Sequence, residues 1–265
     1  MLLVERDPQM RNRALFALIL DSLDVPSSRH AAAMALASTT GDDLRRAAER
    51  ALPLLDELAD ASRPDASNDG TVQSTVYSLM NLVGAHLKST SDAGNLDGAR
   101  TKRWVTAPGF SLNNRRGFAL IHIRTAQSQD AVLSFLQDLT RSPQLEERLI
   151  AVGIIAGLEH DSPYGKNPHF DPMTPAVRAA GDGLVDELLA DPTPKVRAEA
   201  IPMLVSRYAS RVLDDESGTV LESEVLARLH ERVLSDEDPA VQQLAANWVD
   251  QLEKAREIRK RRQGK

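Results

Sequence analysis

The feature that most constrains this 265-residue chain is a helix-breaking turn that occurs twice in the same setting. Gly183-Leu-Val-Asp-Glu-Leu-Leu-Ala190 puts Leu184, Val185, Leu188 and Leu189 on one helical face, and Asp191-Pro192-Thr193-Pro194 then interrupts it. A second helix follows, with Val196, Ala200, Leu204 and Tyr208 on a single stripe. Thr193 before Pro194 suits a helix start, because proline lacks the N–H that would be orphaned there. About 45 residues later Val225–Leu234 is a first helix and Asp236-Glu-Asp-Pro239 the turn. Val241, Leu244, Ala245, Trp248 and Leu252 form the expected buried stripe of the second helix. Aligned on their turns, Asp191–Ala200 matches Asp236–Ala245. A repeat at this period predicts an all-α chain of helical hairpins, each sealing its apolar edge only against its neighbours.

The pattern helix, Asp-Pro-x-Pro-x-Val-Arg-x-x-Ala, helix resembles the HEAT repeat, most closely over residues 183–208. The resemblance implies an α-solenoid, an α-α superhelix of HEAT-like hairpins. It gives Asp191, Pro194, Val196, Arg197 and Ala200, and in the second copy Asp236, Pro239, Val241 and Ala245, the roles of structural repeat positions. In that family the turn aspartate caps the second helix, Val and Ala are core, and the arginine pairs with a turn aspartate of a neighbouring hairpin. Gln242 departs from the pattern by standing where arginine is usual. Weaker copies lie upstream. One comprises Leu133–Leu139, Ser142-Pro143-Gln-Leu145 and Arg148–Leu158, with Glu146 read in the place of the arginine. Another is Asp7-Pro8-Gln-Met10-Arg11-Asn-Arg-Ala14. The expected organisation is N-terminal hairpins over 1–60, a loop at 61–71, and central helices over 72–158. A loop at 159–173 and two C-terminal repeats with a basic helical tail over 174–265 complete it.

The run Ala14–Leu20 is apolar all round and is expected to be covered on every side. Either neighbouring helices wrap it, or residues 1–23 form an apolar contact with another surface. No stretch approaches the roughly 20 apolar residues of a membrane span, and Glu5, Arg6 and Asp7 interrupt any signal-peptide pattern. A soluble, cytoplasmic protein is therefore expected, or a nuclear one in a eukaryote. With no cysteine, thiolate metal sites and thiol nucleophiles are excluded. The six histidines show no metalloprotease spacing, and His230-Glu231 is the one His-Glu pair, so di-iron chemistry of the kind some HEAT-like enzymes perform is not expected. No phosphate-binding glycine loop or nucleophile elbow is present. No catalytic residue, metal or cofactor is assigned. Glu159, His160, Asp161, His169 and Asp171 hold mixed nitrogen and oxygen donors in the Pro-rich loop, yet without ligand spacing they read as solvated polar residues.

Residues 98–129 contain no Asp or Glu, where about four or five would fall at the chain's average. They carry Arg100, Lys102, Arg103, Arg115, Arg116 and Arg124 beside Trp104, Phe110 and Phe118. If Ser111 or Asn113 caps a helix, Arg115 and Arg116 sit in its first turn, where cations and exposed N–H groups attract anions. Two readings stand. Arg100, Lys102, Arg103, Trp104, Arg115, Arg116 and Arg124 form a surface for an anion or acidic partner, or the cations pair with acids such as Asp56, Glu57 and Asp60. Residues 252–265 are also basic, at +5, so the remainder totals −11 against a net −6. The function expected is a non-catalytic scaffold that holds a protein or peptide, an acidic one included, on a concave solenoid face. The alternative is a nucleic-acid-binding module resembling the HEAT-like alkylpurine DNA glycosylases in fold only, with the 98–129 cations on phosphates.

Overall fold

The computed structural model describes residues 8–61, 67–90, 96–157, 167, 174–214 and 219–263. The described residues are all-α, without a strand. The helices are α1 (Pro8–Asp21), α2 (Arg29–Leu36), α3 (Gly41–Asp60), α4 (Gly70–Ser89), α5 (Gly98–Thr106), α6 (Leu112–Thr125), α7 (Gln129–Thr140), α8 (Leu145–Gly157), α9 (Pro175–Leu189), α10 (Pro194–Asp214), α11 (Thr219–Ser235) and α12 (Pro239–Gln263). They fall into two compact units. The first holds α1–α6 and Asn167; the second begins inside α7, at Val132, and runs through α12. Among the described residues no helix is long and apolar enough to cross a membrane.

In the first unit α4 packs against α2, α3 and α6, while α5 lies against α3 and α6. Val76, Leu79, Met80, Leu82 and Val83 of α4 are all buried, so this helix is enclosed on several sides. Phe118 of α6 meets Trp104 at 5.1 Å and Phe110 at 5.5 Å between ring centroids. Each such pair contributes about 0.5–1.5 kcal/mol beyond its buried area. Neighbouring helices do not enclose Ala14–Leu20 on every side. Phe16 is buried, but Leu15 and Leu18 are 52% and 65% exposed. Helix α1 packs against α2 and α3, and the guanidinium of Arg46 lies 5.4 Å from the Phe16 ring. Met1–Arg6 lie outside the described residues.

In the second unit α10 is the hub, packing against α8, α9, α11 and α12. Val196, Ala200, Ile201 and Leu204 are buried along it, with Pro202 inside the helix; the Tyr208 side chain is outside the described set. On α12 the stripe is rotated from expectation. Val241, Ala245 and Val249 are buried, whereas Leu244, Trp248 and Leu252 are only partly covered. Val241, Ala245 and Val249 fall at i, i+4 and i+8 on one face of the helix, and α12 packs against α10 and α11.

A repeated polar joint ties this unit together. Arg197 donates through Nη1 to the carbonyl of Asp191, six residues back, and through Nε and Nη2 to Asp236 at 2.9 and 2.8 Å. Arg148 does the same one hairpin earlier, donating to the carbonyl of Ser142 and pairing with Asp191 at 2.8 Å. Gln242 occupies the equivalent place in the last hairpin and donates only to the carbonyl of Asp236. The register read with Glu146 in the arginine position is thus overturned: six residues after Ser142 comes Arg148, and its guanidinium, not Glu146, makes the joint. The turn aspartates also accept main-chain N–H groups, Asp191 from Thr193 at 2.8 Å and Asp236 from Asp238 at 3.0 Å. The Thr193 hydroxyl accepts from Arg148 at 2.9 Å.

Candidate functional site

The acid-free segment builds α5, the turn after it, and α6. Asp97 caps α5 by accepting from the N–H of Arg100 at 2.6 Å, and Ser111 caps α6 by accepting from that of Asn114 at 3.3 Å. Gln73 of α4 clamps the turn between them. Its amide donates to the Gly109 carbonyl and accepts from the Ser111 N–H and the Asn114 side chain.

The cations of this segment turn inward to different partners. Arg100 lies 3.0 Å from Asp56 of α3, Arg103 reaches both Asp56 and Asp60, and the Trp104 Nε1–H donates to Asp56 at 2.9 Å. One carboxylate thus gathers three of the seven residues, and it is itself only 19% exposed. Arg115 is 3% exposed and donates to the Val105 carbonyl in the last turn of α5. Arg124 is 5% exposed and donates to the carbonyls of Leu87 and Thr90, both 3.0 Å away, at the end of α4. Helix ends leave such carbonyls unpaired and carry a partial negative charge, which suits a buried guanidinium. Arg116 is half-buried, and Lys102 and Arg103 lie on the exposed face of α5. Trp104, Arg115 and Arg124 therefore belong to the interior and not to a surface.

Reading from composition missed three residues here. His122, the sole imidazole of the segment, stands with Nδ1 2.7 Å from the Thr101 hydroxyl. It lines an open cleft of about 800 Å³ with Leu96, Asp97, Gly98, Arg100 and Thr125 among its other walls. Burial, reinforced by the charge of Lys102 and opposed by a hydrogen bond with the Gly98 backbone, pushes its pKa down to about 4. A base that weak holds almost no proton near neutrality and is a poor general catalyst there. Asn167, buried, closes the end of α6 by donating to the carbonyls of Ile123 and Ala126 at 2.8 and 2.9 Å. His30 of α2 meets Ser78 of α4 at 2.8 Å and acts as an interhelical tie. Their common signal is a polar letter inside an apolar helix face or loop, which fixes the type of partner but not its identity.

Among the described residues no group of three or more His, Asp or Glu side chains is placed to hold a metal ion. Glu159, His160, Asp161, His169 and Asp171 lie outside the described residues. No family model matches the chain, and neither a curated protein nor a solved structure does.

Proposed function

We propose that this protein is a non-catalytic, protein-binding scaffold built as a HEAT-like α-solenoid. The observation that carries the reading is the recurring joint, in which Arg148 and Arg197 each hold the turn behind them and the turn aspartate ahead. Packing of α10 against both α8 and α12 supports a lateral stacking of these hairpins. Their open faces carry exposed Lys195 and Glu199 on α10 and Gln243 and Asn247 on α12. Such a surface suits a protein or peptide held by area and hydrogen bonds more than by large apolar anchors. The alternative, a nucleic-acid module using residues 98–129, loses its footing once Arg115 and Arg124 serve helix ends and Arg100 and Arg103 serve Asp56.

The test is to capture protein partners on the full chain and on K195E/N247R, which alters the open face without touching the core. A partner retained by the native chain, lost by the variant, and protecting α10 and α12 from hydrogen exchange would support the reading. Equal retention by the variant, or no protein retained by either, would overturn it.

A further inference from the structure

Helix α1 carries a face that its own unit leaves bare. Among its described side chains only Phe16 is buried, while Arg13, Ala14, Leu15, Ala17, Leu18 and Asp21 are all exposed. Arg13, Ala17 and Asp21 fall at i, i+4 and i+8 on one exposed row, and Ala14 and Leu18 form the row beside it. The uncharged run Ala14–Leu20 is centred on Ala17. Arg13 and Asp21 therefore bracket it at equal distance, about 6 Å to either side along the helix axis.

These charges are set against the helix that bears them. A macrodipole favours acids at a helix start and cations at its end. Helix α1 has the reverse order, with Arg11 and Arg13 in its first half, Asp21 as its last residue, no acid in its first turn and no base in its last. Helix stability therefore does not account for the pattern, whereas a second α1 laid antiparallel does. We propose that the exposed face of α1 is a self-association site for a second copy of this chain, joined antiparallel about a two-fold axis near Ala17. Charge complementarity selects that occupant. The axis sets Arg13 of each chain opposite Asp21 of the other, and a two-fold interface requires such a self-matching order. The two dipoles then run in opposite directions. The small side chain of Ala17 lets the backbones approach, and Leu18 and Leu15 of both chains gather along one side of the contact. A helix of 14 residues offers a face about 21 Å long and about 10 Å wide, well below the roughly 800 Å² per partner of a stable interface, so the dimer is a reversible one. This surface belongs to the first unit, and the inference is independent of the scaffold reading of α10 and α12.

Sedimentation velocity of the full chain at low salt, from about 1 to about 300 μM, tests it. The native chain is expected to shift reversibly from monomer to dimer across that range. L15S/L18S, at two exposed positions, is expected to stay monomeric while keeping the helical signal and the dilute-solution melting temperature of the native chain. R13E or D21R alone makes both symmetry-related pairs repulsive and should weaken the dimer about tenfold. R13E/D21R restores the match and should regain near-native affinity. A native chain that stays monomeric throughout would refute the proposal; protection of its α1 amides from hydrogen exchange would then assign the face to other residues of the same chain. Dimerisation unchanged in L15S/L18S would refute it as well, and so would a double charge reversal that associates no better than either single one.

Discussion

Arg197→Met keeps most of the side chain's bulk and removes its charge, so it isolates the joint between the last two hairpins. The native guanidinium is 5% exposed and its partner Asp236 1% exposed. The substitution deletes two charge-assisted bonds to Asp236 and the bonds to the carbonyls of Asp191 and Pro192. Asp236 would be left with the Asp238 N–H at 3.0 Å and a distant Arg232 at 3.9 Å. Breaking a buried pair from one side costs about 3–5 kcal/mol, a large share of a typical 5–15 kcal/mol total. Gln242→Ala at the equivalent place removes a single neutral hydrogen bond and should cost about 1 kcal/mol. Urea unfolding followed by far-UV circular dichroism, with hydrogen exchange across α10, would measure both. The pH dependence gives a second signature. Hydrogen bonding from Arg197 holds the Asp236 carboxyl below the usual carboxylate range. Its stabilisation is therefore complete above the unfolded value of about 4 and is lost as pH falls through the lower folded value. Arg197→Met should flatten that limb. A loss below about 1 kcal/mol, with the acid limb intact, would refute the idea that this joint holds the hairpins together.

Three further outcomes are expected. Because burial depresses His122 to about 4, native stability should decline as pH falls from about 6.5 and level off below about 4; His122→Gln should remove that decline in melting curves, and a proton titration of its ring by NMR should show no transition above about pH 5. Asp56→Asn should cost about 1–3 kcal/mol in urea, since Arg100, Arg103 and the buried Trp104 indole all turn to that carboxylate. Arg124→Met should change stability by less than about 1 kcal/mol. It gives up two carbonyl bonds but also relieves buried Nε and Nη1 groups that lack acceptors, so thermal unfolding close to the native curve is expected.

The helical class and the second-unit turns were legible because they rest on periodicity and on proline. Val196 and Ala200 sit at core spacing, and both are fully buried. The Arg148 joint was hidden because Glu146 and Glu147 separate it from Leu145, so local likeness pointed to the wrong residue. The acid-free window misled for a deeper reason. Counting acids measures only carboxylate partners, whereas Arg115 and Arg124 are matched by main-chain carbonyls, which every residue has and no letter records. Leu15 and Leu18 show the converse limit. An all-apolar run specifies that a helix can be enclosed, and only the number of neighbouring helices decides whether it is.

The shared plan of the Arg148 and Arg197 joints, a carbonyl six residues behind and a turn aspartate ahead, makes the second unit modular in an engineering sense. A duplicated block running from Asp191 to Ser235 would bring its own acceptor for the arginine behind it and its own donor for the aspartate ahead. Such a graft could lengthen the row by one hairpin without redesigning either junction.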